Sequence, residues 1–151
     1  FHAKNGFVNV TWEKETSEEY MGKLKIKAQN ILALCGNLSG GNQQKVILSK
    51  WLAAGVKLLI LDEPTKGIDV NARAEFYALM DQFVEEGGSI IMVSSDMPEI
   101  IKVADRAYVM SEGRLTGELT RSEITELNLI SLANPVSDGS DKKPKKKAGK
   151  K

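Results

Sequence analysis

The 151-residue chain contains one cysteine, Cys35, and one histidine, His2. A lone cysteine excludes any internal disulfide and fits a reducing compartment. Cys35 reads as a buried structural thiol rather than a reactive one. A single histidine at the start of the chain excludes catalysis by a histidine base and any multi-histidine metal site, and His2 is given no role. No apolar run approaches the roughly 18–20 residues that a membrane span needs. The first residues, Phe1-His2-Ala3-Lys4-Asn5, show no apolar stretch of a secretory signal. They also lack an initiating Met, as expected of a fragment or a processed chain. No internal repeat is visible.

One further absence is specific. The pattern G-x-x-x-x-G-K-S/T occurs nowhere. The Gly-Lys pairs are Gly22-Lys23 and Gly149-Lys150; Leu24 and Lys151 follow them, and neither pair has a glycine five positions earlier. Such a loop points several backbone N–H groups at phosphates, with Lys on the β/γ-phosphates and a hydroxyl on Mg²⁺. These residues cannot assemble one.

What is present suffices for one domain with a core: 42% of residues are hydrophobic. The net charge of +1 hides an asymmetry. Seven of the 21 Lys and Arg, but only two of the 20 Asp and Glu, fall in residues 137–151, so the tail carries +5 and the rest −4.

Residues 1–36 are the least readable. Phe7 to Trp12 alternates in part and is either a short strand or an irregular remnant. Ser17 with Glu18 and Glu19 looks like a helix start. From Leu38 the pattern sharpens. Ser39 can cap a helix, and Val46, Ile47, Trp51 and Leu52 recur at helical spacing until Gly55. Trp12, Trp51 and the methionines read as core. Leu58 to Leu61 is uniformly apolar, as in a parallel strand buried on both faces. Asp69 or Asn71 caps the next helix, with an inward stripe of Phe76, Leu79, Met80, Phe83 and Val84, ended by Gly87-Gly88. Ile90 to Val93 is a second buried strand. Pro98 suits the first turn of a short helix. Ala107–Met110 and Leu115–Leu119 form a hairpin around Glu112-Gly113. Thr120 and Glu123 make a capping box for a last helix running to about Ala133. Strand–helix–strand alternation predicts an α/β sheet. After Pro135 apolar residues vanish, and residues 135–151 read as a disordered basic tail.

Two motifs stand out. Asn37-Leu38-Ser39-Gly40-Gly41-Asn42-Gln43-Gln44-Lys45 resembles the signature loop of ATP-binding-cassette (ABC) ATPases. Leu58-Leu59-Ile60-Leu61-Asp62-Glu63-Pro64-Thr65 resembles their Walker B motif, in the expected order and at the expected distance. Residues 37–134 look like the C-terminal part of an ABC ATPase domain. They are most similar to the second nucleotide-binding domain of monosaccharide importers of the ribose/galactose/xylose type. LSGGNQQK has Asn42 where many relatives have Gln; Thr65-Lys66-Gly67-Ile68-Asp69-Val70 is similar to TRGIDV; Val93-Ser94-Ser95-Asp96-Met97-Pro98-Glu99 is similar to VSSE-x-PE. The implied fold is α/β, a partial RecA-like P-loop NTPase core on the Walker B side, with the signature helix and without the phosphate-loop half. Residues 1–36 would be a remnant of the helical subdomain, outside the match.

In that family each ATP lies between two domains. The resemblance implies that Ser39, Gly40 and Gly41, with Asn42 and Gln43, face the nucleotide of a partner. Taken alone, Ser-Gly-Gly could equally be a plain loop and cap. Bare glycines at a helix N-terminus let backbone N–H groups approach an anion closely. Asp62 would hold Mg²⁺, often through water, and Glu63 would orient the attacking water. Read without the resemblance, they are two exposed carboxylates at a strand end. Asp69 resembles the loop Asp that relays between two sites; a helix N-cap explains it equally well. Ser95 stands where most relatives place a switch histidine. Serine donates one hydrogen bond but cannot be a cation near neutral pH.

The resemblance implies a fragment of an ABC sugar importer's ATPase, inactive alone, needing ATP and Mg²⁺ only in a complete site. It implies a second nucleotide-binding domain, transmembrane permease subunits and, indirectly, a periplasmic or extracellular sugar-binding protein as partners. The location would be cytoplasmic, peripheral on the inner face of the cell membrane. A non-catalytic assembly or regulatory module is the alternative. An ABC ATPase of DNA repair or translation is disfavoured by LSGGNQQK and VSSDMPE, and no nucleic acid is expected. The tail Lys142-Lys143-Pro144-Lys145-Lys146-Lys147 is a solvated end, a lipid-attracted segment or a weak nucleic-acid binder.

Overall fold

The computed structural model describes residues 3–4 and 7–135, with side chains from residue 9 onward. His2 lies outside the described residues, as do residues 136–151 of the tail expected to be disordered. The chain forms two compact units, Phe1–Ser95 and Asp96–Lys151.

The first unit opens with an antiparallel pair, β1 (Ala3–Lys4) and β2 (Phe7–Val8). Helix α1 follows at Val10–Lys23. Of Phe7–Trp12, read as a short strand or an irregular remnant, only Phe7–Val8 is strand, and the helix starts at Val10, seven residues before the expected Ser17. Asn9 is the reason: its side chain accepts the Trp12 N–H at 3.1 Å, satisfying an amide that helix geometry leaves open. Ser17, Glu18 and Glu19 fall mid-helix, where Glu18 and Glu19 make i,i+4 pairs with Lys14 and Lys23.

A 3-10 turn at Cys35–Asn37 leads into the next helix. Cys35 is exposed there, contrary to the buried thiol expected, because the turn presents it at the surface. Helix α2 spans Gly40–Ala53 and ends at Gly55, whose φ of 69° is the left-handed value glycine adopts without cost. Its buried face is Gly41, Lys45 and Leu48. The expected stripe is displaced: Ile47 and Trp51 are half exposed. Gly41 has no side chain, so α2 approaches its neighbour along that line.

Strand β3 (Leu58–Asp62) pairs in parallel with β4 (Ser89–Val93), Ile60 opposite Ile91 and Asp62 opposite Val93. Helix α3 (Val70–Glu85) connects them, capped by Asp69, whose side chain accepts the Asn71 and Ala72 N–H groups at 3.0 Å each. It buries Phe76, Tyr77, Met80 and Phe83. Tyr77 takes the place expected for Val84, which is exposed, while Leu79 is half-buried. Gly88 lies so near Phe83 that a Cβ there would sit 2.3 Å from the ring. The sheet departs from expectation. Leu59 is buried, but Leu58, Ile60, Ile91 and Val93 are exposed, Ile60 to 70%. Side chains alternate across a strand, so these four share one face, and that face is open.

The second unit begins with helix α4 (Met97–Val103), capped by Asp96 with Pro98 in its first turn as expected. Strands β5 (Arg106–Ser111) and β6 (Arg114–Thr120) form the expected hairpin. Its turn residues Glu112 and Gly113 have φ of 50° and 77°, the two positive values that match strand twist. Helix α5 runs over Glu126–Ala133. The Thr120–Glu123 box forms, with the Thr120 N–H donating to Glu123 at 2.9 Å, but it closes a turn; Thr125 caps α5 instead, accepting the Asn128 N–H. Ala107, Val109, Leu119, Ile124 and Leu129 make the core, with Met97, Ile100 and Ile101 packed against it. Arg121 donates to the Ile101 and Ala104 carbonyls at 2.7 and 2.8 Å, closing the end of α4.

Candidate functional site

Two groups of the expected residues come together. The first stands where β3 and β4 end. Asp62 is the last residue of β3 and is exposed. Glu63 follows with φ of 45°, a conformation costly for a residue with a side chain. It is held from three directions. Its N–H donates to the Val93 carbonyl at 2.8 Å and its carbonyl accepts the Lys66 N–H at 3.1 Å. Its carboxylate accepts the Ser95 backbone N–H at 3.0 Å. Pro64 and Thr65 behind it are buried, Thr65 to 2% exposure. The carboxylate is thereby fixed at the C-terminal edge of a parallel sheet, where open α/β folds bind ligands. Ser95 meets Glu63 through its main chain, whereas the sequence drew attention to its hydroxyl.

The second group gathers at the start of α2. Ser39 occupies the N-cap position, but its hydroxyl caps no backbone amide; it accepts the Asn42 side-chain amide at 2.9 Å. Asn42 also accepts the Lys27 N–H at 2.8 Å, and Gln43 donates to the Leu38 carbonyl at 2.9 Å. Asn42 and Gln43 thus hold the loop in shape, and no side chain caps the start of α2, a positive helix end. The loop Gly67–Asp69 packs against this start: a Cβ on Gly40 would lie 3.2 Å from Ile68 and 3.5 Å from the Gly67 carbonyl, and one on Gly41 would lie 2.5 Å from the Ala72 Cβ. Asp69 is spent on capping α3 through one oxygen.

No group of three or more His, Cys, Asp and Glu able to hold a metal occurs among the described residues. Asp62 alone nevertheless fits Mg²⁺, which takes one or two carboxylates and completes its shell with water and phosphate oxygens. A concavity of about 560 Å³ lies along Lys27, Gln29, Leu34 and Asn37, and none of the three strand-end residues lines it.

Sequence reasoning missed one ion pair. Lys45, 4% exposed, donates from its ammonium to Glu75 on α3 at 2.5 Å. That hydrogen bond and the charge hold the Glu75 carboxyl below its usual value. The available signal was the i,i+4 spacing of Gly41 and Lys45, which puts both on one helix face.

Residues 2–66 match the ABC transporter family model, so the match reaches into the N-terminal segment that the motifs had left outside. A Rhizobium etli protein named for ribose, galactose and methyl galactoside import is 50% identical over 127 residues, covering 84% of this chain and 24% of that protein. The ribose import ATP-binding protein of Shigella dysenteriae is 44% identical, covering 86% of this chain and 26% of its own length. The arabinose import ATP-binding protein of Vibrio parahaemolyticus is 44% identical, covering 85% and 25%. The chain spans about a quarter of the length of these curated relatives. Among solved structures, an inward-facing metal-chelate type ABC transporter matches with a TM-score of 0.74 at 18% identity, covering 87% of this chain and 53% of that one. A dimeric ATP-binding cassette bound to ADP and Pi matches at 0.66 and 19% identity, covering 78% and 51%. These two likenesses concern the fold.

Proposed function

We propose that this chain, whose residues 2–66 match the ABC transporter family model, is part of the ATP-binding subunit of a monosaccharide importer and contributes to composite ATPase sites. The observation that carries this reading is the geometry of Glu63: a strained residue whose carboxylate is pinned by the Ser95 N–H at the end of a parallel sheet. A base that positions water needs that fixed aim. Asp62 beside it would hold Mg²⁺, which when bound would supply charge neutralisation toward a transferred phosphate. Ser39, Gly40 and Gly41 present a hydroxyl and backbone N–H groups to the γ-phosphate of an ATP held by another phosphate loop. Asn42 and Gln43 act through the loop they shape, and Asp69 couples the two sites while capping α3. The names of the relatives, all concerned with import of ribose, galactose or arabinose, support the sugar class.

On this reading the partners are a second nucleotide-binding domain, membrane permease subunits and, through them, a sugar-binding protein outside the membrane. The place of work is the cytoplasmic face of the membrane. No described helix is long and apolar enough to cross it. With no phosphate loop among its 151 residues, the chain alone does not turn over ATP. That same feature favours a second reading, a silent module that lends its signature surface to a complete ATPase.

Calorimetric titration of ATP-Mg²⁺ tests both. The isolated chain is expected to show no binding heat, and a mixture with a phosphate-loop-bearing cassette is expected to bind. Hydrolysis in the mixture that vanishes with Glu63→Gln supports the catalytic reading. Hydrolysis indifferent to that change supports the silent module. Tight binding to the chain alone overturns both.

A further inference from the structure

We propose that Lys45 and Glu75 are a positioning pair that makes the signature start and the loop ending at Asp69 move as one body. The proposal deepens the composite-site reading and rests on it for its link to ATP.

Two contacts join the N-terminal halves of helices α2 and α3. At the first, Gly41 and Ala72 meet so closely that a Cβ on Gly41 would stand 2.5 Å from that of Ala72. At the second, one turn further along each helix, the Lys45 ammonium donates to Glu75 at 2.5 Å. The small contact sets the separation of the helices, and the ion pair sets their rotation about it. Two such constraints fix the amides of Gly40 and Gly41 relative to Ile68 and Asp69. Burial gives the pair its authority. The Lys45 side chain is 5% exposed while that of Glu75 is 53% exposed, so the ammonium has left water and this carboxylate is its hydrogen-bonded anion. A buried ion pair is weak evidence for stability, since apolar replacements of similar volume are often neutral. Its better-attested use is to select one arrangement. Orientation matters here because a misplacement of about 1 Å at a reacting site can cost on the order of a hundredfold.

Lys45→Met tests this. It keeps the apolar stem and removes the charge, so the fold should survive. Lys50→Met, in the last turn of α2, is the charge control, and Lys45→Arg is the rescue. Two measurements are made on the full chain. The first is amide hydrogen exchange of the free protein. Lys45→Met should speed exchange at the starts of α2 and α3 together, with the melting temperature unchanged, while Lys45→Arg and Lys50→Met should not. Faster exchange in one helix only, or in neither, overturns the proposal, because a clamp must free both ends. The second is ATP-dependent association with a phosphate-loop-bearing cassette. Lys45→Met should weaken it about tenfold or more, with Lys45→Arg restoring most of it. Association unaffected by Lys45→Met also overturns the proposal. If the unaltered chain shows no ATP-dependent association, the composite-site reading fails, and the exchange result still decides whether the clamp exists.

Discussion

Glu63 shows how much a single residue can reveal once its backbone is known. The resemblance implied a base at this position; its φ of 45° and the Ser95 amide on its carboxylate show that the side chain is held in one orientation. Glycines separate the same way. Gly41→Ala should lower the unfolding free energy by about 1–3 kcal/mol, because the new methyl must push α2 off Ala72. Gly22→Ala, inside α1 with nothing within 4 Å of the new Cβ, should raise it by about 0.5–1 kcal/mol through lower chain entropy. Urea titration of both variants checks the pair, and equal effects would contradict the packing. Cys35 was misjudged for a related reason: cysteines are buried on average, but local chain direction decides any one of them.

At the scale of elements, the two helix starts that the sequence misplaced were taken by a nearer competitor. Asn9 outbids Ser17 because its side chain reaches the Trp12 amide, and Thr125 caps α5 while Thr120 and Glu123 close a turn. That turn carries a pH signature. Hydrogen bonds from the Thr120 hydroxyl and N–H hold the Glu123 carboxyl below its ordinary value of 4.5. A depressed folded pKa means that the stabilisation is complete above that ordinary value and disappears as pH falls through the lower folded value. The stability difference between the unaltered chain and Glu123→Gln should therefore shrink on acidification from about pH 6 to about pH 3, as followed by chemical denaturation at each pH. The sheet offers another test. Its open face of Leu58, Ile60, Ile91 and Val93 belongs to a parallel pair, an arrangement that ordinarily has both faces covered. The chain should self-associate in sedimentation as its concentration rises. Ile60→Lys should reduce that association while changing stability by no more than about 0.5 kcal/mol, as at other exposed positions.

For the whole molecule, the sequence by itself carried the resemblance to ABC ATPases. The stretches resembling signature and Walker B motifs are contiguous strings, legible without a fold, and no G-x-x-x-x-G-K-S/T pattern occurs among these 151 residues. Strand and helix order from Leu38 to Ala133 was legible because apolar runs, glycine stops and turn residues act locally. Which face of each element is buried was not, because burial depends on what lies opposite. Ile47, Trp51 and Val84 look like core in one dimension and stand exposed in three. The sheet expected to be covered on both sides is covered on one. Nor could spacing in sequence disclose that Glu63 meets the Ser95 amide, or that Lys45 reaches Glu75 across two helices. Those contacts join residues about thirty apart, and only the tertiary packing of α2, α3 and the strand ends brings their atoms within hydrogen-bond reach.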